Sequence, residues 1–274
     1  MNGRVDARCW LVLPATLIVG VLFAYPVSWL LALSVTDPAP GFQNFRKLIE
    51  APVYLKAFWN TIIISGSVTL LCALLGYPIA YAMAHAGDRL RRLLVFVVLV
   101  PFWSSILVRT FAWMVLLQQK GLINKTLIDY LGVIETPLSL VYNRTGVLIG
   151  MSHILLPFMI LPLYSVLSRI EPNLTQAGAS LGAPPVRNFV RIYLPLSLPG
   201  LLAGSVLVFV MGLGYYITPA LLGGPADTMI AQLIEMQIAD FGDWGLAGAL
   251  AVILLFGTVT LFLLVSRSLI EAVR

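Results

Sequence analysis

Few side chains in this 274-residue chain could do covalent or acid–base chemistry. There are two histidines, His85 and His153, and two cysteines, Cys9 and Cys72. Neither pair has the spacing of a metal site, a disulfide framework or a nucleophile with its base. His85 is expected at the inner membrane interface. His153 falls inside an apolar run, where packing or a bond to a carbonyl would satisfy it. No paired carboxylates and no Ser/His/Asp set follow from spacing. Nucleotide chemistry has no foothold either. A P-loop needs Gly-Lys after a glycine-rich turn. The four lysines, Lys47, Lys56, Lys120 and Lys125, follow Arg46, Leu55, Gln119 and Asn124. The chain is therefore expected to be non-catalytic and to bind no cofactor. If its work uses ATP, a partner must hold the nucleotide and its Mg²⁺.

Other residues suit the movement of a solute. Arg109 is an ionisable residue within an apolar run, which marks a functional position unless the side chain snorkels to the interface. Residues 210–219 hold two glycines, Tyr215, Tyr216, Thr218 and a proline. That composition predicts a locally opened helix whose aromatic faces could meet an amine, or close packing through the glycines. Asp227, Glu235, Asp240 and Asp243 lie in a stretch from 223 to 245 without Lys or Arg. They could form an acidic outer mouth that concentrates a cation, a docking surface for a binding protein, or merely the outward charge bias.

The elements that position these residues must sit in lipid. The composition is 59% hydrophobic and 11% charged, against about 25% charged in a soluble domain. Six apolar runs, at about 10–33, 61–84, 93–117, 146–167, 201–222 and 246–266, each reach the ~20 residues that a bilayer-spanning helix needs. Without barrel-like alternation they read as helices. The expectation is one all-α transmembrane domain, a polytopic bundle of six spans over 1–274. Arg4 and Arg8 precede the first run, but it is longer than the ~7–15 residues of a secretory signal's core, so it reads as an uncleaved span. Six spans put both ends on one side, with Arg4, Arg8, Arg89, Arg91, Arg92, Arg169, Arg187, Arg191, Arg267 and Arg274. The other side holds Arg46, Lys47, Lys56, Lys120, Lys125 and Arg144, and eight of the twelve acids. The positive-inside bias then makes both termini cytoplasmic.

The loop at 168–199 follows a different grammar from the rest. Glu171 and Pro172 suit the start of a short helix. Leu174, Ala177 and Leu181 share one face. Gly182 is a stop, and Pro184-Pro185 forbids continuation. Pro185 can open a second short helix through Arg191. The product is a small helical element rich in Ala, Gly, Ser and Gln, held at the inner surface. Read without further context, it suits a protein-docking element and an ordinary loop about equally.

This loop resembles the cytoplasmic signature of ABC-importer permeases. That signature is Glu-Ala-Ala, three residues, Gly, nine residues, Ile-x-Leu-Pro. Gly182 and Ile192-Tyr193-Leu194-Pro195 match it in register. The triplet falls on Gln176-Ala177-Gly178 and matches only at Ala177, with Gln176 in place of the acid. Residues 101–113, 121–124 and 218–224 are similar to the spermidine/putrescine-type subfamily. The resemblance implies a type I importer permease (MetI-like) fold, shared with the methionine and maltose importers. It implies a second, homologous permease, two ATPase subunits that bind ATP and Mg²⁺, and a periplasmic substrate-binding protein. Gln176, Ala177, Gly178, Leu181, Gly182, Ile192, Leu194 and Pro195 would couple the chain to the ATPase. Arg109, Trp113, Tyr215, Tyr216 and Thr218 would line the pathway of a polyamine or related amine. The expected location is a bacterial inner membrane, with lipid as the other partner and no nucleic acid. A self-sufficient secondary transporter or channel is the competing reading, and a membrane enzyme ranks last.

Overall fold

The computed structural model describes Pro14 and residues 16–273, with side chains except at 172, 175 and 264–273. Arg4, Asp6, Arg8, Cys9, Arg274, the first residues of the 10–33 run, and the side chains of Arg267 and Glu271 lie outside what is described. Among the described residues the chain is helical and without strands. The helices are α1 (Thr16–Thr36), α2 (Gln43–Glu50), α3 (Pro52–His85), α4 (Asp88–Leu99), α5 (Ile106–Leu117) and α6 (Arg144–Leu167). They continue with α7 (Pro172–Ser180), α8 (Pro185–Leu213), α9 (Ile217–Leu222), α10 (Ile230–Ala239) and α11 (Trp244–Val273). Six helical stretches among the described residues are long and apolar enough to cross a bilayer: α1, α3, Ile106–Tyr130 (α5 with the short helical turns Leu122–Lys125 and Thr126–Tyr130 after it), α6, α8 and the part of α11 from Trp244 to Leu263.

Two apolar runs that are continuous in hydropathy are broken in structure. The run 93–117 is not one helix. Pro101 has no N–H to donate, and the chain passes through a 3₁₀ turn, Val100–Trp103, into extended Ser104 and Ser105 before α5 starts. The run 201–222 is cut at Gly214–Tyr216, the opened segment expected from its glycines and tyrosines. A third difference goes the other way. The second short helix of the 168–199 loop does not stop near Arg191 but runs into the membrane span as one helix, α8. A π-helical turn, Phe189–Tyr193, with Leu194 N–H bonded to Phe189 O, carries the helix up to Pro195, whose nitrogen has no hydrogen to give.

The helices gather into two compact units. The first takes the residues through Leu55 together with Leu233–Phe256. Here α1 stops at Asp37, the residue before Pro38, where the α conformation is disfavoured. Asn44 of α2 donates to the carbonyls of Ser34 (3.1 Å) and Asp37 (2.7 Å), which ties α2 to the end of α1. Trp29 packs on Trp244, ring centroids 6.4 Å apart.

The second unit takes Lys56–Gln232 with the residues from Gly257 on. Its centre is α6. Val147, Met151, Leu155 and Met159 are buried there with Ile64 and Val68 of α3. Small residues on α8 let the backbones approach, as expected where lipid supplies no hydrophobic drive between helices. A β-carbon at Gly200 would stand 2.9 Å from Val166, and one at Gly204 3.0 Å from the Met159 carbonyl. Cys72 is buried in this core and donates to the Ser152 carbonyl at 3.5 Å.

Candidate functional site

The loop between α6 and α8 folds as its residues dictate. Pro172 opens α7, where its missing N–H would be unpaired in any case. The helix ends in a Schellman motif. Gly182 N–H bonds to Ala179 O (2.9 Å), and Ala183 N–H reaches back to Gly178 O (3.1 Å). Gly182 sits at φ +78°, the left-handed region that favours glycine. Pro184 is extended and Pro185 starts α8.

The expected coupling residues divide by burial. Gln176, Ala177, Gly182 and Pro195 are exposed, and Leu181 is 89% exposed. Leu174, on the same apolar stripe, is exposed as well. Ile192 and Leu194 are half-buried. Gly178 is buried, because α7 rests there on the start of α8. A β-carbon at Gly178 would lie 2.7 Å from Asn188 Oδ1 and 2.8 Å from Ile192 Cδ1. The departure from alanine at this position therefore has a local packing reason. Tyr193, the variable position of Ile-x-Leu-Pro that no spacing singles out, is the most buried residue of its motif at 4% exposure.

The expected pathway residues also divide. Arg109 and Tyr215 line a cavity of about 110 Å³ together with Phe102, Phe158 and Met211. Arg109 Nε is buried without a hydrogen-bond partner among the described residues, and the Tyr215 hydroxyl is buried near Thr218. Thr218 is buried beside Thr110, hydroxyl to hydroxyl at 3.3 Å. Trp113 packs edge-on against His153, centroids 5.5 Å apart. Tyr216 is exposed and is not among the residues lining the cavity. The cavity thus offers aromatic faces, one phenol and one guanidinium.

Two of the four acids are held by cations. Asp227, 8% exposed, accepts from Arg144 Nε at 3.0 Å. Arg144 Nη2 donates to Asn60 Oδ1 (2.9 Å), and Asn60 Nδ2 donates to the carbonyls of Ala226 (2.7 Å) and Thr228 (3.2 Å). Thr61 Oγ1 accepts from Ile230 N–H (2.9 Å). Asn143 caps α6 by accepting from Gly146 N–H (3.1 Å). This clamp fastens residues 226–230 to α3 and to the start of α6. The sequence signal for it was the Asn60-Thr61 pair at the head of an apolar run. In the first unit, Asp243 lies 3.7 Å from Lys47 Nζ and accepts from Leu246 N–H at the start of α11. Glu235 and Asp240 are exposed.

Residues 76–271 match a family described as "Binding-protein-dependent transport system inner membrane component". The chain is 35% identical over 212 residues to the spermidine/putrescine transport system permease protein PotB of Escherichia coli (strain K12), covering 77% of this chain and 76% of that protein. It is 31% identical over 233 residues to the inner membrane ABC transporter permease protein YdcU of the same organism, covering 81% and 73%. Among solved structures, a chain of a bacterial alginate ABC transporter superposes with a TM-score of 0.78 at 19% identity, covering 96% of this chain and 93% of that one. That likeness bears on the fold alone.

Proposed function

The chain belongs to the family of binding-protein-dependent transport system inner membrane components, and from that premise we propose how it handles its solute. It is a multi-pass inner-membrane protein and the permease of an ABC importer. Its solute is a polyamine or a related small amine. The observation that carries this is the 35% identity over 77% of the chain to relatives named for spermidine and putrescine. In our reading the chain pairs with a second permease, two ATPase subunits and a periplasmic binding protein. ATP and Mg²⁺ bind the ATPase. Both termini are cytoplasmic, as the arginine bias favours.

α7 is the coupling element. Its exposed Gln176, Ala177 and Leu181 suit a surface that another protein covers, and Gly182 sets the sharp end that such docking needs. Arg109, Trp113, Tyr215, Tyr216 and Thr218 belong to the pathway. Aromatic faces and a phenol attract an ammonium group, while the Arg109 charge opposes its retention. Conduction needs such weak binding, favourable enough to enter and weak enough to leave. The exposed Glu235 and Asp240 contribute to an acidic outer face.

Reconstitution in liposomes tests the function. Import should require the ATPase, ATP and the binding protein. Gradient-driven uptake by this chain alone would overturn the reading in favour of a secondary transporter. A ligand screen on the cognate binding protein tests the substrate: tight binding of anions only would refute the amine.

A further inference from the structure

A movement of α7 must reach the spanning helices to open a pathway. α7 rests on Asn188 and Ile192 of α8 at Gly178. Phe189, Tyr193 and Ser197 follow at intervals of four. Tyr77, Tyr81 and His85 stand at the same interval on the last turns of α3, and the two rows interlock. Tyr81 meets Tyr193 edge to face with centroids 5.2 Å apart, and Tyr77 meets Phe189 at 5.9 Å. His85 lies 5.5 Å from Tyr193 and stacks on Tyr81 at 4.2 Å. Phe189 stacks on Tyr193 at 5.9 Å. The Tyr77 hydroxyl and Ser197 Oγ are 2.9 Å apart and close the row with a hydrogen bond. Phe189–Tyr193 is also the π-helical turn, a form that concentrates at functional sites.

We propose that this aromatic cluster is the joint that carries a displacement of α7 into α3, with Tyr193 as the positioning residue at its centre. Interiors are close-packed and transmit strain. Rings make that transmission directional, because each has one stiff plane and few torsions. A run of leucines here would fill less of the volume and, lacking a rigid plane, could absorb the movement by shifting and changing rotamers. The inference rests on the reading of α7 as the coupling element.

The test uses the full complex in liposomes with ATP hydrolysis and spermidine import measured together. Tyr193→Leu and Tyr81→Leu break the joint, and Tyr193→Phe keeps the ring. The leucine variants should assemble and hydrolyse ATP at the wild-type rate while import falls about tenfold, within the range for residues that couple two sites. Tyr193→Phe should import normally. The proposal is overturned if the leucine variants import as wild type, if hydrolysis and import fall in proportion, or if Tyr193→Phe is as impaired as Tyr193→Leu. Should Tyr193→Leu fail to accumulate, Tyr81→Leu decides, because Tyr81 is more exposed. A wild-type complex without ATP-driven import overturns the proposed function, and the joint falls with it.

Discussion

The two ends of α6 solve the same problem in opposite ways. At its start, polar groups are satisfied within the chain. Arg144, Asp227, Asn60 and Asn143 bond one another or nearby backbone, and Asp227 is nearly buried. Beyond its end, α7 leaves apolar Leu174 and Leu181 exposed and shapes its backbone with a single left-handed glycine. The first end is complete as it stands. The second has a face that stability of the isolated chain does not explain. The contrast teaches that polar composition alone does not mark a working surface. The acidic loop held the more conspicuous charges, yet Asp227 is spent inside the fold.

Substitutions can break this contrast, and their effects on stability should fall in a definite order. Asp227→Ala removes the charge-assisted bond to Arg144 and leaves that guanidinium with its bond to Asn60. Loss of the Arg144–Asp227 bond should destabilise the detergent-solubilised chain by ~2 kcal/mol, read as a lowered thermal midpoint. A cycle with Arg144→Ala should give clear coupling; independent effects would mean that the clamp is not a unit. Gly182→Ala forces a β-carbon into the left-handed region and should cost ~1 kcal/mol, with import falling further than stability explains. Unchanged import would argue against α7 as the coupling element. Leu181→Ser should lie within ~0.5 kcal/mol of wild type, as at any exposed site, yet reduce retention of the ATPase during purification. A large stability loss there would show that Leu181 serves this chain's own fold.

Much of this was legible in the residues. Gly182, Pro184 and Pro185 announce a helix stop and restart, and the structure puts the Schellman turn and the new helix there. The opened segment at Gly214–Tyr216 follows from glycines and a proline in an apolar run. Other features were not legible. Hydropathy is blind to the break at Pro101–Ser105, because serine and proline interrupt hydrogen bonding without making the window polar. It is equally blind to the fusion of the second loop helix with the fifth span, which depends on one π-helical turn. Tyr193 looked like the free position of a motif. Its burial depends on Tyr81 and His85, more than a hundred residues earlier.

By itself the sequence determined that this chain lives in lipid, crosses it about six times and lacks the Gly-Lys of a P-loop. Those properties follow from composition, run length and the absence of Gly-Lys, all of which are local. Tertiary structure alone decided which acid is paired, why Gly178 stands in an alanine's place, and that the rings of α3 and α8 meet. The first and last depend on distances between residues far apart in the chain, and the second on how α7 folds back onto the start of α8. Only the packed fold fixes such distances, because in lipid the helices associate by shape and by a few polar bonds, which hydropathy does not encode.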